Sequence, residues 1–395
     1  MKSLIRLLSL CFVLLLTVSA IAEAPADDNE LQAKYEQRVF KCLETLTKCL
    51  TDDINVYGTP REVLKGSDAW KVLSKYDGGW FSKNISKTIK NPRTDGWERV
   101  SDTAFCVNVY CDYEVVYVRN REPVVYPCAY HLCFAQTDAR KDVWMIQDFH
   151  VLENPNDLIF AEKLTSENEG ITVTPVIGAT FTGFMMTIDD PSRVFVGTIP
   201  RFRSSAGAMT IDEIVELNDA LGGINGGGFN EGNAASPMGI VYSMGEHKQE
   251  HTPNHFLTRT LIGFDENNKL HVGNYSIKEV DQMNLRDALG FGPALIIEGE
   301  AQETGDKQNE YSTRTAIGQD AEGRVLMLAI RGRQPDSMGA DMKDLIKIMQ
   351  DFGAVNAGNL DGGMSTAMYL NKTIVYSGYR LEASRTLPCG FLIRK

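Results

Sequence analysis

The feature of this sequence that most limits its fold is an order of elements that occurs twice: a helix, an apolar strand, then a polar residue followed by glycines. In the first copy, residues 210–213 have the pattern of a capping box that opens a helix. This helix is predicted to run through Leu217 and to stop at Gly222-Gly223, and the turn Asn225-Gly226-Gly227-Gly228 follows. This order predicts an α/β or α+β arrangement.

In the second copy, apolar residues between 345 and 349 form one helical face and Gly353 stops the helix. The turn that follows is Asn359-Leu360-Asp361-Gly362-Gly363. Each turn alone is typical of an ordinary loop with glycines for tight packing. Because the two occur in matched context, we predict one site built from both halves, suited to an anionic or hydroxyl-rich ligand.

The first residues have the pattern of a secretory signal peptide. Lys2 and Arg6 precede the apolar run 7–18, and Ala20-Ile21-Ala22 supplies a small-x-small cleavage pattern. We expect a signal peptide over residues 1–22 and a secreted or extracytoplasmic product. No later segment is apolar and long enough to span a bilayer, so no transmembrane segment is expected after signal removal.

Size and charge narrow the classes of protein further. Removal of 22 of the 395 residues leaves 373, more than one core usually organises, which predicts two domains. A net charge of −12 at pH 7 argues against a nucleic-acid partner. The oligomeric state is not indicated.

Tryptophan and cysteine divide the chain at about residue 150. All four tryptophans precede that position, and residues 29–52 have helical periodicity followed by strand patterns up to 151. We predict a smaller α+β auxiliary domain over 29–155 that resembles a cystatin-like or nuclear-transport-factor-like (NTF2-like) cone. A linker is predicted at 156–170, and an α/β (α+β) domain with a mixed sheet at 171–395.

Six cysteines lie in this N-terminal domain, and Cys389 lies alone near the end. In an exported segment, six cysteines predict up to three disulfides with fifteen pairings open. A zinc site is the rival interpretation, which the missing C-x-x-C spacing disfavours. The six are Cys42, Cys49, Cys106, Cys111, Cys128 and Cys133.

A resemblance to a known family is carried by five ordered segments, residues 222–229, 291–295, 314–318, 361–363 and 385–388. Over about residues 171–393 the chain resembles the phosphodiester glycosidase domain, many of whose members are exported bacterial proteins linked to exopolysaccharide or cell-wall metabolism. Membership implies hydrolysis of a sugar-1-phosphodiester, which releases the sugar and leaves a phosphomonoester.

Three residues are candidates for catalysis. Asp361 is predicted to be the catalytic carboxylate, as nucleophile or as base for water, with sugar-hydroxyl acceptor and metal ligand as the alternatives. Arg314 and Arg385 stand where the family has arginines, and guanidinium is a natural clamp for a phosphodiester. Because the departing phosphate is already a stable anion, a strong general acid is less necessary than in other glycosidases. Glu231 or Asp320 is a candidate second carboxylate.

The remaining candidates are substrate-binding residues, whose amide, hydroxyl or backbone N–H groups suit phosphate or sugar hydroxyls. No cofactor or metal is predicted, although a divalent cation at Asp361 or Asn359 stays open. The expected partner is a glycan or sugar-phosphodiester substrate; the rival function is noncatalytic glycan or cell-surface binding through the same pocket. The candidates are Asn225, Gly226, Gly227, Gly228, Asn359, Gly362, Gly363 and Ser365.

Overall fold

A computed structural model describes most of the chain, and the predicted signal peptide at 1–22 lies outside the described residues. No helix within the described stretches is both long enough and apolar enough to cross a bilayer. The described stretches are 26–51, 62–75, 84–117, 122–137, 140–203, 207–251, 258–305, 310–378 and 383–395.

The N-terminal part is an antiparallel meander of four strands, taken in chain order, with two helices packed on one face. Leu31, Val39, Leu43 and Leu46 of the first helix are all buried against the sheet, as their helical spacing predicts. The elements are α1 (Ala26–Thr51), α2 (Asp68–Lys75), β1 (Asn84–Ser101), β2 (Ala104–Tyr117), β3 (Val124–Thr137) and β4 (Arg140–Val151).

Alternation of core-facing and outward-facing residues along each strand explains which side of this sheet is buried. In β2, Phe105, Val107 and Val109 point into the core, while Asn108 and Tyr110 lie on the outer face. The two strand patterns predicted between residues 105 and 118 correspond to the single strand β2, and those at 124–134 and 143–151 correspond to β3 and β4. Strand β1 was not predicted because its sequence is mostly polar. The finer resemblance to a cystatin-like or NTF2-like cone stays a prediction.

The rest of the chain is rich in short strands, with four further α-helices among the described residues. The helices are α3 (Pro155–Ser166), α4 (Ile211–Leu217), α5 (Ile277–Gln282) and α6 (Met342–Asp351). The strands up to residue 276 are β5 (Ile171–Ile177), β6 (Thr182–Ile188), β7 (Val194–Thr198), β8 (Ala220–Asn225), β9 (Phe229–Asn230), β10 (Asn233–Pro237), β11 (Gly239–Ser243), β12 (Glu246–His251), β13 (Thr258–Asp265) and β14 (Leu270–Ser276). Those that follow are β15 (Leu285–Leu289), β16 (Ala294–Ile297), β17 (Glu300–Ala301), β18 (Arg314–Asp320), β19 (Val325–Ile330), β20 (Ala354–Leu360), β21 (Ala367–Leu370), β22 (Thr373–Ser377) and β23 (Cys389–Arg394).

Helix α3 occupies most of the segment 156–170 that was predicted as a linker. The side chain of Asn154 caps its N-terminus and Pro155 fills its first turn, a favourable start for a helix. Ala161 and Leu164 are buried in the core of the C-terminal part. The segment is therefore a packed helix, because its proline and asparagine act as a cap and not as loop residues.

Two sheets of the C-terminal part repeat one connection. In the seven-stranded sheet, ordered β17-β16-β20-β18-β19-β6-β5, helix α6 carries the chain from β19 to β20, and β18 lies between them. In the five-stranded sheet, ordered β22-β21-β8-β23-β7, helix α4 carries the chain from β7 to β8, and β23 lies between them. The repeat seen in the sequence is thus a repeat of split β-α-β units.

The prediction of a mixed sheet was wrong. Every pair between named strands in the described residues is antiparallel, including β18 with β19 and with β20. The helical crossover does make β19 and β20 run in the same direction, as the helix and strand order suggested. They form no parallel pair because β18 is inserted between them.

The loop at 331–340 makes contacts with both the N-terminal and the C-terminal parts. Met338 is fully buried in the hydrophobic core of the N-terminal sheet, and the Tyr130 hydroxyl donates a hydrogen bond to the Pro335 carbonyl. At the start of the loop, Arg331 forms a bidentate ion pair with Asp157 of α3, with N–O distances of 2.7 and 2.9 Å. This loop therefore packs against both parts.

Candidate active site

The two predicted turns lie side by side. The backbone N–H of Asp361 donates to the Gly226 carbonyl at 3.2 Å, and the Asn225 side-chain Nδ2 donates to the Asp361 carbonyl at 2.7 Å. Each turn follows the second strand of a split β-α-β unit, so the two units bring their turns to one place.

The Asn225 side chain is fully buried and connects the two sheets through hydrogen bonds. Its Oδ1 accepts hydrogen bonds from the Thr315 hydroxyl at 2.8 Å and from the Ala367 N–H at 3.0 Å. Its Nδ2 is occupied by the Asp361 and Gly226 carbonyls. Because every hydrogen-bonding atom of this amide has a protein partner, Asn225 holds the two sheets together and leaves no atom for a sugar hydroxyl.

The glycines of the first turn are required by close packing. A Cβ on Gly226 would lie 2.9 Å from the Cys389 carbonyl oxygen, and one on Gly227 would lie 2.7 Å from that of Gly290. One on Gly228 would lie 3.0 Å from the Phe291 ring. These contacts account for three of the predicted substrate-binding residues without a ligand.

The second turn presents a carboxyl group. Asp361 directly follows β20 and is partly buried, and its carboxylate accepts hydrogen bonds from Ser365 and from the Gly362 N–H. Burial raises the pKa of Asp361, and the Ser365 hydrogen bond and the nearby charge of Arg385 oppose that rise. A partly desolvated carboxylate of this kind is suited to act as a base or nucleophile.

Arg385 lies beside that carboxylate. Its guanidinium contacts Ser365 Oγ at 3.4 Å and pairs with Glu231 at 3.0 and 3.4 Å. The guanidinium carbon is 4.8 Å from the centre of the Phe229 ring. Hydrogen bonding and charge from Arg385 lower the pKa of Glu231, so Glu231 is ionised and orients the arginine. Asp361, Ser365, Arg385 and Glu231 are called the Asp361 cluster below.

Arg314 has a different environment. Its guanidinium donates to the Ala340 carbonyl at 3.0 Å and to the Glu310 carbonyl at 2.7 Å. Burial and then the charge of Arg333 lower the pKa of Arg314. The backbone of Arg314 lies beside Gly362, but its side chain binds backbone oxygens of the loop at 310 and of the loop at 331–340. The structure therefore brings Arg385, and not the Arg314 guanidinium, to Asp361.

Arg333 is a residue that sequence reasoning missed. Its Nη1 lies 3.5 Å from the position that a Cβ on Gly363 would occupy, and its charge acts on Arg314. A second arginine at the Asp361 turn adds positive potential where an anionic phosphodiester would bind. The only local signal was the Arg331-Gly332-Arg333 triplet after an apolar strand, and the fold is needed to place it.

The other predicted residues have mixed environments. Asn359 donates through Nδ2 to the Gly292 carbonyl at 3.0 Å, while its buried Oδ1 has no hydrogen-bond partner among the described residues. A Cβ on Gly362 would lie 2.8 Å from the Thr313 carbonyl oxygen, and Gly363 has a positive φ of 59°. Asp320 instead closes a turn with Arg324, at 2.6 Å, and is not part of the cluster.

Residues 218–394 match the phosphodiester glycosidase family, which confirms for this part of the chain the resemblance predicted from the sequence. Among curated relatives, the chain is similar to N-acetylglucosamine-1-phosphodiester alpha-N-acetylglucosaminidase of Mus musculus and of Bos taurus, each 37% identical over 78 residues, or 19% of this chain. The matched region spans 15% of the length of each of these relatives.

Among solved structures, the chain is similar to the zebrafish N-acetylglucosamine-1-phosphodiester alpha-N-acetylglucosaminidase catalytic domain auto-inhibited by its pro-peptide. The TM-score is 0.48 at 19% identity, over 57% of this chain and 82% of that one. A hypothetical protein from Synechocystis is similar over 78% of this chain and 81% of its own, with a TM-score of 0.41 at 15% identity.

Proposed function

We propose that this protein is an exported phosphodiester glycosidase that hydrolyses sugar-1-phosphodiesters in glycans of the exopolysaccharide or cell-wall type. The observation that carries the proposal is the Asp361 cluster, in which the guanidinium of Arg385 lies beside the turn that presents the partly buried carboxylate of Asp361. The family match over residues 218–394 supports the reaction class. The signal-peptide pattern supports export.

In the proposed mechanism, Asp361 attacks the anomeric carbon or removes a proton from the attacking water. Ser365 keeps the carboxylate oriented through its hydrogen bond. Arg385, oriented by Glu231, stabilises the departing phosphomonoester by charge-assisted hydrogen bonds. Because this leaving group is already a stable anion, the mechanism does not need a strong general acid.

The site favours hydrolysis of a phosphodiester over that of a neutral glycoside because of its charge. Arg385 and Arg333 both lie at the turn that carries Asp361. Glu231 neutralises part of this charge, and its side chain is 79% exposed, so an entering phosphate is able to displace it from Arg385. Arginine binds phosphate oxygens through two parallel N–H donors, which matches this exchange.

The test is release of sugar from a panel of α-linked sugar-1-phosphodiesters and UDP-sugars by the purified protein. We expect turnover by the wild type, its collapse in Asp361→Asn, and no change in the control Asp351→Asn, whose carboxylate is exposed on α6. Turnover that persists in Asp361→Asn would overturn the assigned role of Asp361. No turnover on any member, with sugar-phosphate binding that survives Asp361→Asn, would support the noncatalytic binding function. The same assay after treatment with a chelator measures metal dependence.

A further inference from the structure

The outer face of the N-terminal sheet gathers metal-ligating side chains that the proposed hydrolysis does not use. Strand register places Cys106 of β2 opposite Cys133 of β3, and the two sulfurs form a disulfide. His131 lies two residues before Cys133 and so on the same face of β3, with its Nε2 3.5 Å from Cys133 Sγ. The ligand atoms of these three residues lie within 4.8 Å of one another.

The orientation of His131 is fixed by a second hydrogen bond. Its Nδ1 contacts Asn108 Oδ1 at 2.8 Å. Because an amide oxygen only accepts, Nδ1 carries the hydrogen of the neutral ring, and the lone pair of Nε2 faces the sulfur of Cys133. A histidine that binds a metal usually donates its other N–H in this way.

Asn108 is itself held in place. Its Nδ2 donates to Asp95 Oδ1 at 3.1 Å, which fixes the amide with its oxygen towards His131. A Cβ at position 96 would lie 2.6 Å from Asn108 Nδ2, so Gly96 leaves the room that this amide needs. The hydrogen bonds that link His131, Asn108 and Asp95 therefore fix the orientation of Nε2.

We propose that the reduced thiols of Cys106 and Cys133, together with Nε2 of His131, bind a borderline-soft divalent ion such as Zn²⁺. Two thiolates and an imidazole are a donor set typical of zinc. A tetrahedral Zn²⁺ with bonds of about 2.3 Å to sulfur holds two sulfurs roughly 3.8 Å apart, a spacing suited to neighbouring strands. Asp148 and His150 lie opposite Cys133 and His131 on the neighbouring strand β4.

The disulfide and the metal are alternative states of the same two sulfurs. A dithiol reductant supplies two electrons and two protons, becomes a disulfide itself, and leaves two thiols on the protein. Zinc then replaces the two thiol protons, which are released to solvent. The missing C-x-x-C spacing does not exclude such a site, because antiparallel register brings together cysteines 27 residues apart in the sequence.

The experiment measures metal binding by the full chain in both redox states. The protein is reduced with a phosphine without oxygen, equilibrated with Zn²⁺, and analysed for bound zinc, with Co²⁺ as a spectroscopic probe of sulfur ligation. We expect about one zinc per chain in the reduced protein and none at this site in the oxidised protein. Cys106→Ser and His131→Ala should lose that zinc, and Asn108→Ala should weaken its binding about 10–100-fold.

A matched pair of cysteines in the same strands provides the control. Cys111 and Cys128 are also opposite one another in β2 and β3, but they face the buried core, and no histidine of the described residues groups with them. Cys111→Ala should therefore leave zinc binding unchanged. Zinc that does not bind to the reduced protein, that persists in His131→Ala, or that is lost equally in Cys111→Ala would overturn the proposal. Sugar release is a separate readout, and its failure would not affect this result.

Discussion

The two glycine turns are similar in sequence and in topology, yet they use their polar residues differently. At the first turn, Asn225 is completely buried and hydrogen-bonded at every polar atom. At the second, Asp361 takes the equivalent place before the glycines, and its carboxylate meets Ser365 and Arg385. The comparison teaches that a repeated unit can serve two purposes, because the polar residue of the first turn supports the structure while that of the second carries the carboxylate of the proposed chemistry.

The largest effect should come from replacing Asp361 with asparagine, the residue that precedes the glycines at the first turn. Asp361→Asn removes the charge of the carboxylate and should lower kcat about 10²–10⁴-fold, the range typical for loss of a general base. Steady-state kinetics on the substrate identified by the panel measures this. A decrease below tenfold would mean that the two turns are functionally alike.

The next effect separates two arginines that both stack on phenylalanine, one before β23 and one at its last residue. Arg385 lies 4.8 Å from the centre of the Phe229 ring at the cluster, and Arg394 lies 4.4 Å from that of Phe195. Arg385→Ala should lower kcat/KM about 10²–10³-fold, the usual cost of losing a donor to developing negative charge. Arg394→Ala should leave kcat/KM within about threefold, and equal losses in both would contradict the role of Arg385.

A third prediction concerns stability and not turnover. Asn225→Ala leaves the Ala367 N–H, the Thr315 hydroxyl and the Asp361 carbonyl without their partner, and each buried unsatisfied group costs about 1–3 kcal/mol. We expect a loss of roughly 3 kcal/mol or more. Asn359→Ala removes one side-chain hydrogen bond, to Gly292, and should cost about 1 kcal/mol. Urea unfolding midpoints compare the two, and equal losses would show that both asparagines have one role.

The smallest effect is a pH dependence of stability at the second turn. Because burial raises the pKa of Asp361, the unfolded chain ionises at lower pH than the folded one, and stability falls as pH rises between the two pKa values. Asp361→Asn has no such loss. Its Tm should match the wild type below the ordinary aspartate pKa and exceed it at neutral pH. A Tm difference that is constant with pH would contradict the buried charge.

Much of the fold was accessible from the sequence because local patterns dictate it. Helices α4 and α6 follow from capping residues and apolar spacing, and Glu213 does accept the Thr210 N–H at 2.8 Å. The predicted stop of α4 at Gly222-Gly223 was wrong, because α4 ends at Leu217 and these glycines lie in β8. The insertion of β18 and β23 between the strands of each β-α-β unit was not predictable, because strand order depends on pairing between distant segments. The mixed sheet was wrong for this reason.

Part of the site could be predicted from the sequence for the same reasons. The motifs predicted that the two turns meet, and they do. They could not show that the Arg314 side chain turns to the Ala340 carbonyl or that Arg333 approaches Gly363, since both depend on the path of a loop with no regular pattern. The catalytic roles of Asp361 and Arg385 stay predictions.

The loop at 331–340 has a practical consequence for protein engineering. It carries Arg333 to the Asp361 turn and, five residues later, buries Met338 in the core of the N-terminal sheet. A fragment that starts at residue 156 would leave Met338 and the Pro335 carbonyl without their cover, and the displaced loop would shift Arg333. The N-terminal part therefore cannot be removed or exchanged freely, and expression of the C-terminal part should retain it.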